Sequence, residues 1–156
     1  MNPLRRNLLK STGAATSVAV AVAAGLLKPS QVLAAEWNKS AFESKNVADA
    51  LKGMGASAPA DSKDIMIKAP DIAENGAVVP VEVTSKIPGT ESIMILVEKN
   101  NTPMTADFTL SNGAESYVST RIKMAGTSGV RVVVKAGGKS YSAVKEVKVT
   151  IGGCGG

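Results

Sequence analysis

The sequence predicts an all-β protein: an immunoglobulin-like antiparallel β-sandwich with a short N-terminal helix and a flexible C-terminal tail. Three observations predict it. Seven short runs alternate apolar and polar residues with a period of two. Turn signals built on Gly, Asn and Pro separate them at a spacing of roughly a dozen residues. A helical period is confined to one segment ahead of the first run.

That segment has two candidate starts, a capping box at Ser40-Ala41-Phe42-Glu43 and a second at Asn46-Val47-Ala48-Asp49. Val47, Leu51 and Met54 fall on one helical face, and Gly53 or Gly55 can end the helix. Ala56–Lys63 reads as a linker. The strand runs follow: Ile65/Ile67/Ala69, Val79/Val81/Val83, Ile93/Ile95/Val97, Ala106/Phe108/Leu110, Val118/Thr120/Ile122/Met124, Val130/Val132/Val134, and a long last run from Lys139 to Ile151. The expected turns are Asn75-Gly76, Pro88-Gly89, Asn100–Pro103, Asn112-Gly113, Ser128-Gly129 and Gly137-Gly138, the last a two-residue hairpin signal. Pro80 inside the second run marks an edge or a bulge. Met94 and Leu96 are apolar where alternation predicts polar groups. They are either part of a partner surface or covered within the domain itself.

Composition bounds the chemistry. A chain of 156 residues and 15.9 kDa suits one compact domain. It has no His and one Cys, which excludes internal disulfides, His-based triads and the usual zinc sites. Of its 18 cations, Arg5, Arg6, Lys10 and Lys28 lie in the first 34 residues, where there is no acid. The remainder has a net charge of only +1, so no nucleic-acid-binding surface is expected.

Residues 1–34 read as an export signal. A charged start precedes the uncharged run Ala14–Leu27, whose 14 residues fall short of the roughly 20 a membrane-spanning helix needs. Val32-Leu33-Ala34 places cleavage after Ala34, and no membrane attachment is expected once the signal is removed. Arg5-Arg6 followed by Asn7-Leu8-Leu9-Lys10 resembles the twin-arginine signal of proteins exported folded. Leu4 and Leu8 depart from that pattern, and the alternative is an ordinary signal for unfolded export. Either route takes the mature chain out of the cytoplasm.

The last strand runs into Gly152-Gly153-Cys154-Gly155-Gly156. Four glycines around one residue resist ordering, so nothing local buries the thiol. An exposed thiol in an oxidising compartment is a liability unless it is used. With Val149 as the last held residue, five further residues extend roughly 17 Å, on an arm little thicker than bare backbone. Such an arm can enter a narrow channel in another protein. Each residue fixed there costs about 1–2 kcal/mol of entropy, so docking is loose, as suits a carrier that visits several partners. No base or cation adjoins Cys154, and an ordinary cysteine is only about 3% thiolate at pH 7. Activation must then come from the partner's site. The protein is expected to be a substrate-bearing arm rather than an enzyme, with no catalytic, cofactor-binding or metal-binding residue. The competing readings are a terminal overhang forming an intermolecular disulfide, a thiocarboxylate carrier of the ubiquitin-like kind, a non-catalytic binding module, and an enzyme using Asp71 and Glu74.

The tail, the leader and the sandwich together resemble the SoxY family, sulfur carriers of the bacterial periplasmic thiosulfate-oxidising system. Further stretches carry the likeness: Ala69–Val81, Ser119–Ala125 and Val134–Lys139. The resemblance implies that Cys154 is the covalent attachment point, with Gly152, Gly153, Gly155 and Gly156 as its hinge and slender flanks. It implies a heterocomplex with a SoxZ-like subunit lacking its own leader, which would explain a folded-export signal on a chain without a cofactor motif. It also implies transient visits to the c-type cytochrome partner SoxAX, to the hydrolase SoxB and, where the pathway is complete, to SoxCD.

Overall fold

The computed structural model describes residues 37–111 and 113–152. The expected signal segment, its cleavage after Ala34, and Asn112 of one expected turn lie outside the described residues. Among the described residues, two short helices, α1 (Lys39–Phe42) and α2 (Val47–Gly53), precede nine strands. These are β1 (Ala60–Asp61), β2 (Ile65–Lys68), β3 (Ile72–Asn75), β4 (Val79–Ser85), β5 (Thr90–Val97), β6 (Met104–Thr109), β7 (Tyr117–Ile122), β8 (Ser128–Ala136) and β9 (Lys139–Ile151). A larger sheet runs β1-β9-β8-β5-β6, with β3 also on β9; a three-stranded sheet runs β2-β4-β7. This is the expected sandwich.

The main core lies between the sheets. Val79, Val81 and Val83 alternate inward along β4 and meet Ile93, Ile95 and Val97 of β5 and Val130, Val132 and Val134 of β8, all buried. Burying each such side chain fully is worth about 1.5–3 kcal/mol before entropy is counted. β5 and β8 are also buried on their other face, where Met94, Leu96 and Val133 form a second core with Ala50, Leu51 and Ala56. The uninterrupted apolar run Ile93–Val97 therefore belongs to a strand covered on both sides. Met94 and Leu96 do not form a partner surface: the domain's own helices lie over them.

The helical segment is two helices, not one. Asn38, not Ser40, caps α1, its carboxamide oxygen accepting from the Ala41 N–H. Its Nδ2 donates to the Gly53 carbonyl at 2.7 Å and so ties α1 to the end of α2. Asn46 caps α2 as expected, accepting from the Asp49 N–H at 2.8 Å. The exit is a Schellman motif around Gly55 at φ +64°, with Ala56 N–H on the Leu51 carbonyl and Gly55 N–H on the Lys52 carbonyl.

Other differences are local. The linker contains the two-residue β1, which pairs parallel with β9. β3, in a stretch the sequence reads as a turn, also pairs parallel with β9. β1 is too short for a period of two to show, and in β3 only Ala73 is buried, so no alternation marks it. Ser128-Gly129 is not a turn but the start of β8, opposite Val147 and Glu146. The chain reverses just before it, at residues 125–127. Gly137 and Gly138 make the expected hairpin, both at positive φ. Pro80 lies beyond the end of β2, whose pairing stops at Glu82, so β4 is flanked there by β7 alone.

Candidate functional site

The site is built on the far end of β9. Over Val147 and the residues before it, β9 pairs antiparallel with β8; beyond Val147 that partner is gone. The Thr127 side chain replaces it, its Oγ1 accepting from the Val149 N–H at 2.9 Å. On the other side, β3 pairs parallel with β9, with Ile72 opposite Lys148 and Asn75 opposite Ile151. Thr150 Oγ1 donates to the Glu74 carbonyl at 2.9 Å. Val149 is thus not the last held residue. The Gly76 N–H donates to the Ile151 carbonyl at 2.8 Å, two residues further on.

Gly76 passes this hold to another loop. Its carbonyl accepts from the Met124 N–H at 2.7 Å. The Met124 side chain is wholly buried in the main core, which fixes residues 123–125 from below. Asn100 fixes them from outside: its Oδ1 accepts from the Ala125 N–H at 2.9 Å and its Nδ2 donates to the Lys123 carbonyl at 2.9 Å. Gly152 sits against the Ala125 carbonyl so closely that a Cβ at this position would clash with the oxygen. Gly152 is exposed, so its glycine identity answers a local close approach as well as any need for flexibility.

Of the residues expected to form the arm, Gly152 is described; Gly153, Cys154, Gly155 and Gly156 lie outside the described residues. Three residues carry the chain from Ile151 to Cys154, a reach of about 10 Å against the 17 Å counted from Val149. Gly76, Asn100, Ala125 and Thr127 hold the root of the arm, a role that nothing in the sequence marks. Asn75-Gly76 and Asn100–Pro103 are legible as turns, but no sequence signal says that both meet the end of the last strand. Asp71 and Glu74 face solvent: Asp71 pairs with Lys145 at 3.0 Å, and Glu74 lies exposed on β3. Among the described residues, the groups that grip the end of β9 are backbone amides, carbonyls, two hydroxyls and one carboxamide. They hold a chain in place and move no protons near neutrality.

A family model described as "Sulfur oxidation protein SoxY" matches residues 51–154, two thirds of the sequence. The chain belongs to the SoxY family. The solved structure of the sulfur carrier protein SoxY from Chlorobium limicola f thiosulfatophilum shares 50% identity, with a TM-score of 0.60, over 66% of this chain and 94% of that one. A superoxide reductase (neelaredoxin) from Ignicoccus hospitalis matches at 20% identity and a TM-score of 0.49, over 55% of this chain and 79% of that one. No curated protein sequence matches this SoxY chain. Membership makes it a sulfur carrier of thiosulfate oxidation rather than an enzyme.

Proposed function

We propose that this SoxY protein carries its cargo covalently on Cys154, at the tip of the arm 152–156. The observation that carries the reading is that the family match runs through the sandwich and ends on Cys154. The firm hold on β9 up to Ile151 supports it, since the sulfur follows a fixed root by a few residues. The chain then divides into a signal (1–34), a helix-and-linker segment (35–63), the sandwich (64–151) and the arm (152–156).

Loading is an oxidation. The Cys154 thiol and thiosulfate join through a new S–S bond to give the cysteine S-thiosulfonate, releasing one proton and two electrons. A c-type cytochrome partner of the SoxAX kind accepts the electrons. Water then cleaves the terminal S–S bond, which leaves sulfate, two protons and a persulfide anion on Cys154. A SoxB-like hydrolase performs this step, and a SoxCD-like enzyme oxidises the remaining sulfur where it is present. A SoxZ-like subunit completes the carrier as a heterocomplex. The work takes place in the periplasm, reached by the twin-arginine route.

Cys154→Ser tests the reading. The variant should fold with an unchanged unfolding midpoint yet support no thiosulfate oxidation with the partner proteins. Intact mass of the unaltered chain under turnover should show an adduct confined to the last peptide. Oxidation at the normal rate by Cys154→Ser would overturn it.

A further inference from the structure

We propose that Asn100 is a positioning residue for loading of Cys154, acting through Ala125 and Gly152 to set the direction in which the arm leaves the sandwich. The inference rests on the reading of Cys154 as the attachment point. Its ground is the closed circuit of contacts at the root. Asn100 bridges the backbone on both sides of Met124, holding the Lys123 carbonyl and the Ala125 N–H at 2.9 Å each. The loop so held makes two contacts with the arm's base. Met124 reaches it through Gly76, whose N–H holds the Ile151 carbonyl at 2.8 Å. Ala125 reaches it directly, its carbonyl oxygen lying too close to leave room for a Cβ on Gly152.

The first contact stops the strand from fraying. The second selects a direction, because it blocks one side of the backbone at the first residue beyond strand pairing. A carrier whose sulfur must arrive in a partner's buried site depends on that direction. Misplacing a reacting atom by about 1 Å can cost on the order of a hundredfold in rate. A small reagent arriving from solution has no such requirement. The two kinds of reaction at one sulfur atom therefore separate aim from exposure.

The experiment compares Asn100→Ala, Gly152→Ala, their double variant, Cys154→Ser and Gly126→Ala. The last is a control in the same loop, where an added Cβ meets open space. Each is prepared as the mature carrier complex. Two rates are measured: enzymatic loading with thiosulfate by the cytochrome partner, as kcat/KM for the carrier, and labelling of the thiol by an aromatic disulfide reagent. Gly152→Ala and Asn100→Ala should each lower enzymatic kcat/KM by about tenfold to a hundredfold while labelling stays within about twofold. The double variant should lose less than the product of the two, since both act through one contact. Gly126→Ala should match the unaltered chain.

Normal enzymatic loading of Asn100→Ala or of Gly152→Ala, with Cys154→Ser not loaded, overturns the positioning role and leaves the carrier reading standing. Normal loading of Cys154→Ser overturns the carrier reading itself. A parallel fall in labelling and loading shows that the substitutions bury the thiol, and also overturns positioning. If Asn100→Ala does not fold, Asn100→Asp takes its place: it keeps the acceptor for the Ala125 N–H, loses the donor to the Lys123 carbonyl, and by loading normally would overturn the role.

Discussion

The two helices before the first strand and the last residues of β9 are both fastened to the same sandwich, by opposite means. The helices are held by apolar burial: Leu51 is only 6% exposed and packs with Ala50 and Ala56 on Met94, Leu96 and Val133. The end of β9 is held by hydrogen bonds and one close backbone approach, while its last side chain, Ile151, is 69% exposed. Burial is non-directional and scales with area, so the helical cap supplies stability. Hydrogen bonds are each worth little net but are strict about geometry, so the root of the arm supplies direction. A carrier needs both, and this one keeps them at separate places.

The sharpest way to break that contrast is Leu51→Ala. Emptying the centre of the second core should cost about 2–5 kcal/mol, read from urea unfolding at pH 7. Thiol labelling in the folded fraction should not change. An unfolding free energy unaltered within about 0.5 kcal/mol would mean that the helices only rest on the sheet. A smaller effect is expected from Asn46→Ala. Asn46 accepts from the Asp49 N–H and returns its own Nδ2 to the Asp49 carboxylate at 2.7 Å, so both ends of this cap are lost. The cost should be about 1 kcal/mol in the same measurement, with no effect on enzymatic loading.

The contrast also explains what was legible in the sequence. Apolar periodicity is written in the residues that make it, so the sandwich and the Val47, Leu51, Met54 face could be read directly. The Gly137-Gly138 hairpin could be read because both residues take positive φ, which glycine adopts freely. What could not be read is which turns meet. Asn100 is a good turn residue in its own right, and nothing local distinguishes it from one that also carries residues 123–125. β3 is invisible for the same reason: its pairing depends on a partner some seventy-six residues on, Ile72 opposite Lys148. Met94 and Leu96 posed a question that periodicity cannot answer. An apolar outward face says that something covers it; only the fold says that the chain's own helices do.

The last and smallest effect lies under the cap, where apolar burial meets one polar group it does not satisfy. Asp107 stands opposite Met94 on β6, so its side chain shares the face that the helices cover. Its Oδ1 is buried without a hydrogen-bond partner. Burial raises its carboxyl above the usual aspartate range, and the charge of Lys135 on β8 opposes that rise only in part. The Lys135 ammonium itself is engaged by the α2 exit, donating to the Met54 carbonyl at 2.8 Å. A carboxyl whose proton is held more tightly in the folded state makes stability fall as pH rises from the ordinary aspartate pKa through the raised one. Below that window both states are protonated and the penalty is absent; above it the penalty is complete. Asp107→Asn should therefore raise Tm at pH 7 by less than loss of the Asn46 cap lowers it, and the gain should shrink towards zero near pH 3. Thermal unfolding of both chains at the two pH values checks this. A loss of stability at pH 7 would show instead that Asp107 and Lys135 hold the cap as an ion pair, so that the helical end too is fastened in part by direction.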